Sequence, residues 1–285
     1  MELGSWELTD EFVHDYLGAV GDDLPLYARH GLVPPVALAA RAMGSLLERL
    51  ELPPGAIHSL QEVSALAPVA VGQVVTARAS VGQPKRRGGM EFITAAVCIS
   101  DKAGKDVLSS KTTVLVLDTP FAGSSKTQGS NGLPESDSLN PSQRTKAQSS
   151  PIIASKALPV VARTITQDQL DAYARVSGDR NPLHLDAQFA ATTHFGGIIA
   201  HGMLTLAFIS EMMATEFQKP WLESGALKVR FRGAAYVGDS VETSGSVKKE
   251  ETRPGGKHLT CAVVVSSQNG QELVSGTATL LKKLS

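Results

Sequence analysis

The stretch Tyr173-Ala-Arg-Val-Ser-Gly-Asp-Arg-Asn-Pro-Leu-His-Leu-Asp186, followed by Phe195-Gly-Gly-Ile-Ile-Ala-His-Gly-Met203, decides how this chain is read. It sets a carboxylate, Asp179, and an imidazole, His184, on one tight turn, upstream of a second Gly/His turn that opens an apolar helix. Carboxylate, imidazole and the N–H groups of an open helix N-terminus can together move a proton and hold a developing oxyanion. That combination points to chemistry on a thioester carbonyl. Pro182 restricts the loop and the Asn181 side chain can hydrogen-bond it in place, so one rigid turn presents both reactive groups.

Outward from this stretch, the helix opened by Gly202 is apolar nearly all round: Met203, Leu204, Leu206, Phe208, Ile209 and Met212 leave few polar positions. A helix without a polar face must be surrounded. The wrapping follows in sequence, as Val241–Val247, Leu259–Val265 and Val274–Leu280 alternate like antiparallel strands with one buried face. Asn269-Gly270 between two of them is a hairpin signal. The sequence therefore predicts an α+β fold, a curved antiparallel sheet wrapped around a central helix.

The same unit is written twice. Thr9 to Tyr16 aligns with Thr166 to Tyr173, each a Thr N-cap candidate followed by an acidic or amide first turn. Gly21-Asp-Asp-Leu-Pro-Leu-Tyr27 aligns with Gly178-Asp-Arg-Asn-Pro-Leu-His184, and Gly31 to Val36 with Gly197 to Gly202 after a gap of about nine residues. Val71 to Val75 matches Val237 to Val241, and Gly104 to Ser109 matches Gly270 to Ser275. The first copy has its own apolar helix, from Val36 through Leu38, Met43, Leu46 and Leu50. It carries Tyr27 in place of histidine, Leu24 in place of asparagine and Pro35-Val36 in place of His-Gly. Asp22 survives without an imidazole partner, so this copy is expected to be non-catalytic.

Between the copies, residues 119–159 are rich in Ser, Gly, Pro, Asn, Gln and Lys, without apolar periodicity. Such a segment cannot bury enough surface to offset its ordering entropy, so a flexible linker is expected. The expected organisation is a degenerate repeat over 1–118, the linker over 119–159 and a catalytic repeat over 160–285.

Bulk composition excludes several classes. With 42% apolar and 19% charged residues the chain reads as globular and water-soluble. A formal net charge of -1 lends no support to nucleic-acid binding. No apolar run approaches the roughly 20 residues of a membrane span. The start Met-Glu-Leu-Gly-Ser-Trp-Glu lacks the basic residues and apolar run of a signal peptide. Cys98 and Cys261 lie far apart in strand-like runs and read as free core thiols of a reducing compartment. A cytoplasmic location is expected. No His/Cys/Glu set has metal-ligand spacing, so no metal is expected.

Residues 160 to 283 resemble the MaoC-like, (R)-specific enoyl-CoA hydratase (hydratase 2) family, and the whole chain resembles its double hot-dog members. The resemblance rests on Tyr173, Ser177-Gly178-Asp179, Asn181-Pro182-Leu183-His184, Asp186, Phe195-Gly196-Gly197 and Ala200-His201-Gly202-Met203. It implies reversible hydration of trans-2-enoyl-CoA to (3R)-3-hydroxyacyl-CoA, with Asp179 and His184 sharing the proton work around one water. It also implies that the backbone N–H of Gly202 contacts the oxyanion, where orphan N–H groups and the positive helix end meet. Asn181 and Ser210 are then supporting residues, and His201, Met203 and Arg232 are candidates for contact with the substrate. His201 reads equally as a hydrogen-bonding residue of the helix entry, Met212-Met213 as core or tunnel lining, and Asp186 and Thr193 as structural loop residues. The basic clusters Lys85-Arg86-Arg87 and Lys228, Arg230, Arg232 read as solvated surface or as phosphate contacts. Coenzyme A would enter as part of a small-molecule substrate, with no separate cofactor. The repeats would form an intrachain pseudo-dimer, and a homodimer of the chain is compatible with the sequence. Competing readings are a dehydratase acting on carrier-protein-bound, short branched or dicarboxylic thioesters, a thioesterase, and a non-catalytic acyl-thioester binder.

Overall fold

The structure is a computed structural model and describes residues 1–53, 55–117 and 156–283. The first repeat runs β1 (Glu2–Glu7), α1 (Asp10–Val20), α2 (Leu26–His30), α3 (Pro35–Leu50), β2 (Ile57–Ala65), β3 (Val74–Val81), β4 (Lys85–Arg87), β5 (Met90–Asp101) and β6 (Asp106–Leu117). The second runs β7 (Ala162–Thr164), α4 (Gln167–Ser177), α5 (Pro182–Leu185), α6 (Ala187–Thr192), α7 (Gly202–Phe217), α8 (Lys219–Ser224), β8 (Ala226–Phe231), β9 (Ser240–Arg253), β10 (Gly256–Ser267) and β11 (Glu272–Lys282). Helix α6 occupies the stretch that the first repeat lacks.

Local signals act alike in both copies. Thr9 and Thr166 each accept a backbone N–H three residues on, from Phe12 at 3.1 Å and Gln169 at 3.2 Å, capping α1 and α4. Both helices then stop on a left-handed glycine, Gly21 at φ 75° and Gly178 at φ 81°, a conformation that a β-carbon would strain. Asp22 and Asp179, which begin the two aligned turns, follow these glycines directly.

The strands form one antiparallel sheet in the order β1-β3-β5-β6-β2-β8-β11-β10-β9-β7, with β4 on β5. The seam is β2 against β8, in register from Leu60↔Arg230 to Ser64↔Ala226. The two predicted sheets are thus halves of one, and each repeat's inner strand closes its neighbour's edge. Helices α3 and α7 pack on this sheet and on each other. In α7 every residue from Met203 to Ala214 is buried, in keeping with its lack of a polar face. Each large side chain enclosed this way, such as Phe208 or Met212, stabilises the fold by roughly 1.5–3 kcal/mol. The aligned tyrosines Tyr16 and Tyr173 meet where α1 packs on α4, ring centroids 6.3 Å apart, which is what a pseudo-two-fold axis requires.

Most of the expected linker, residues 119–155, lies outside the described residues. Its last four residues belong to the second repeat. Ala157 bridges to Ser246, Leu158 donates to the Gly245 carbonyl at 2.9 Å, and the Leu158 side chain is buried. The expected boundary at 160 therefore moves to Lys156, the first described residue of the second repeat, because one apolar residue and two backbone pairings suffice to dock this segment. Cys98 and Cys261 are both free thiols. Among the described residues, no helix is long and apolar enough to cross a membrane.

Candidate active site

The turn after α4 is organised by its own short polar side chains. Ser177 Oγ donates to the Tyr173 carbonyl at 2.7 Å and accepts the Asp179 N–H at 3.3 Å. Asp179 Oδ1 accepts the Asn181 N–H at 3.2 Å, and Asn181 Oδ1 accepts from Leu183 at 3.1 Å, capping α5 with Pro182 as its first residue. The Asn181 amide also donates to the Ala56 carbonyl at 3.2 Å, tying the turn to the first repeat.

His184 comes out of α5 buried, with Nδ1 2.8 Å from the Ile199 carbonyl. A carbonyl only accepts, so Nδ1 carries the hydrogen and Nε2 keeps its lone pair. Burial holds the His184 pKa below the usual imidazole range, with the Asp179 charge opposing the shift, so the ring is neutral at pH 7. His201 stacks on it, centroids 3.9 Å apart, and its Nε2 hydrogen goes to the Asp179 carbonyl at 3.0 Å. Burial depresses its pKa as well, followed in effect by His184. Asp179, His184 and His201 each bring one donor atom to within 4.8 Å of the others, a grouping that sequence spacing does not reveal.

Gly202 begins α7, and its N–H has no protein acceptor among the described residues, as expected of a first helical position. A β-carbon there would lie 3.1 Å from the Phe231 ring and 3.2 Å from His58 Nδ1, so glycine leaves the helix end open. His58 comes from β2 of the first repeat. Sequence reasoning passed over it, since an isolated histidine in a strand of the other repeat carries no local signal.

Several predicted residues have other partners. The His201 ring is wholly enclosed, so it positions the Asp179 turn and has no surface to offer a substrate. Met203 is buried in the core in the first turn of α7. Ser210 Oγ accepts the Trp221 indole N–H at 3.0 Å, and among the described residues no hydrogen bond joins it to Asp179 or His184. Arg232 is exposed, beside Ser275 and 3.9 Å from Glu272. Lys228 pairs with Glu62 at 2.9 Å and Arg86 with Glu91 at 3.5 Å. Asp186 caps α6 by accepting from Gln188 and Phe189, and Thr193 Oγ1 donates to the Ala190 carbonyl, both structural tasks.

The matching place in the first repeat is filled. Asp22 Oδ1 accepts the Leu24 N–H at 3.0 Å, as Asp179 does with Asn181, but Oδ2 takes the Tyr27 phenol at 2.6 Å. Arg163 Nη2 lies 2.7 Å from both Glu211 oxygens and 2.7 Å from the Gly21 carbonyl. Burial, then Asp22, raises the Glu211 pKa to about 7, and burial likewise raises Asp22. Neither Arg163 nor Glu211 is marked in the sequence, because one reads as a strand cation and the other as a lone carboxylate on an apolar helix.

The model of the MaoC like domain matches residues 148–269, which span the Asp179 turn and the Gly202 helix entry. A 3-hydroxybutyryl-CoA dehydratase of Methylorubrum extorquens is 33% identical over 125 residues, 43% of this chain and 76% of that protein. The chain belongs to the MaoC-like dehydratase family. An (R)-specific enoyl-CoA hydratase of Rhodospirillum rubrum is similar to this MaoC-like chain at 30% identity over 123 residues, 42% of the chain and 82% of that protein. Among solved structures, a MaoC-like dehydratase superposes with TM-score 0.75 at 19% identity, covering 99% of this chain and 96% of that one. A Mycobacterium tuberculosis protein described as having a double hotdog fold superposes with TM-score 0.68 at 13% identity, over 98% of this chain and 94% of that one. The double hot-dog fold of the described residues of this MaoC-like chain is therefore shared with these solved structures.

Proposed function

We propose that this MaoC-like protein interconverts trans-2-enoyl and (3R)-3-hydroxyacyl thioesters of coenzyme A, through Asp179, His184 and the Gly202 N–H of the second repeat. The observation that carries the reading is the hydrogen bond from His184 Nδ1 to the Ile199 carbonyl. It leaves a neutral Nε2 as a base beside a carboxylate, near a helix end whose first N–H is free. In hydration, a water held by Asp179 loses one proton to Nε2 as its oxygen bonds to C3. The C2=C3 pair moves toward C2 and the thioester oxygen gains negative charge, which the Gly202 N–H stabilises. The imidazolium then delivers that proton to C2, so one water is added and His184 returns to neutral. Dehydration is the reverse. The names of both relatives support the CoA-thioester class, and that of the Rhodospirillum rubrum protein supports the R configuration, as readings for this chain.

The test mixes the protein with crotonyl-CoA and follows enoyl-thioester absorbance and free thiol together. Loss of absorbance without thiol, with product oxidised by an R-specific 3-hydroxyacyl-CoA dehydrogenase, is the expected result. Thiol release assigns a thioesterase, and no change at any chain length assigns a binding protein. Faster turnover of a carrier-protein thioester, or of a branched or dicarboxylic CoA ester, would move the substrate assignment to that group.

A further inference from the structure

We infer that His58, a residue of the first repeat, binds the substrate of the second repeat's site, its Nδ1 lone pair accepting the cysteamine amide N–H of a pantetheine thioester. The nature of the ligand rests on the thioester reading above; the position and protonation of the ring do not.

His58 lies at the start of β2, where a register shift between His58 and Leu60 interrupts the ladder with β6. A few residues on, the same strand pairs with β8, so the ring stands at the seam of the two half-sheets. It rests on Phe231 with centroids 4.5 Å apart. Its Nε2 has two neighbours at 2.9 Å, Gln61 Oε1 and Thr112 Oγ1. The buried Gln61 amide spends its hydrogens on the Glu62 carbonyl at 2.9 Å and Ser110 Oγ at 2.6 Å, which fixes Oε1 as an acceptor. The ring hydrogen is therefore on Nε2. Burial lowers the His58 pKa to about 4, with Gln61, Asp179 and the Leu60 backbone opposing, so the ring is neutral at neutral pH and, with its hydrogen on Nε2, leaves Nδ1 as an acceptor.

That nitrogen lies at the helix entry, 3.2 Å from where a Gly202 β-carbon would stand. A thioester oxygen held by the Gly202 N–H cannot also face an unprotonated nitrogen, since two lone pairs would oppose each other. What faces Nδ1 must be a donor. A 3-hydroxyacyl pantetheine thioester offers two donors near its carbonyl: the 3-hydroxyl, which faces Asp179 and His184 in the proposed reaction, and the amide N–H two methylenes beyond the sulfur. The amide is the group left for His58. The first repeat then contributes a polar contact to the site as well as a wall.

The experiment compares binding of butyryl-pantetheine, which cannot react, with the analogue whose cysteamine amide N–H is replaced by an ester oxygen. Wild-type protein is expected to bind the amide about tenfold more tightly, and His58→Leu to bind both alike. His58→Gln, which keeps an acceptor, is expected to recover part of the preference. Equal affinity of wild type for both ligands, or an equal loss for both in His58→Leu, overturns the inference. Should His58→Leu fail to fold, the 15N resonance of His58 Nδ1 in the wild type serves, moving with the amide ligand only if the inference holds. Turnover of crotonyl-CoA is read separately, so an amide preference without hydration overturns the proposed reaction and leaves His58 in place.

Discussion

Tyr27 donates its phenolic hydrogen to Asp22 across 2.6 Å, at the position where the second repeat sets His184 beside Asp179. A phenol whose pKa burial pushes far upward is a donor and not a base, so the first repeat holds a carboxylate already engaged by a phenol, with no imidazole beside it to take a proton from water. Asp179→Asn is expected to lower kcat on crotonyl-CoA about a hundredfold or more, and Asp22→Asn to leave it within about twofold. Comparable losses in both variants would mean that both repeats are catalytic.

The pH profile follows from the depressed imidazoles. His184 must be neutral to act as a base, and its pKa lies below the ordinary value of about 6.5, so the acid limb of kcat/KM should fall below pH 6.5. A limb centred above that value contradicts a buried neutral base.

Stability should track the same groups. For His58, His184 and His201 the folded pKa is lower than the unfolded one, so the unfolded chain takes up protons first as pH falls. Their contribution is complete above about pH 6.5. It is lost progressively toward the folded values, about 4 in the case of His58. Melting temperature should drop across this window, and less steeply in His201→Gln; an unchanged slope in that variant counts against the buried neutral ring.

Gly44 of α3 lies against the turn that carries Asp179. A β-carbon there would stand 2.1 Å from the Ser177 carbonyl oxygen and 2.9 Å from Gly178 C, both backbone atoms that cannot swing aside. Gly44→Ala should cost about 1–3 kcal/mol and reduce kcat, although the residue belongs to the first repeat. Gly18 of α1 has nothing within 4 Å of its β-carbon position, and Gly18→Ala should raise stability by about 0.5–1 kcal/mol without touching turnover. Urea denaturation and initial rates on the two variants measure both effects.

Arg163 is the cation between two buried carboxylates, Glu211 in direct contact and Asp22 nearby. Removing it leaves Glu211 buried without a counter-charge, which is expected to cost about 3 kcal/mol in Arg163→Met. The double variant Arg163→Met with Glu211→Leu should regain most of that loss. Failure of the second change to compensate would show that Arg163 acts through the Gly21 carbonyl instead.

Much of this architecture is legible residue by residue. Thr9 and Thr166, Gly21 and Gly178, and the apolar run after Gly202 act locally, and local rules identify them. Ser210 and Met203 were harder to place, since a serine and a methionine on an all-apolar helix show nothing of which neighbour they meet. Lys156 to Pro159 escaped because a short strand pairing of polar and apolar residues resembles linker composition.

The sequence by itself determined the duplicated α+β unit, its capped helices, and the Asp179 and His184 turn ahead of an open helix end. These depend on periodicity, capping and turn chemistry within a few residues. The tertiary structure alone decided that β2 pairs with β8 to fuse the sheets, that His58 reaches Gly202, and that Arg163 and Glu211 fill the place beside Asp22. Those relationships join residues dozens of positions apart through the packing of two repeats, and no local pattern along the chain encodes which of many buried polar groups will meet.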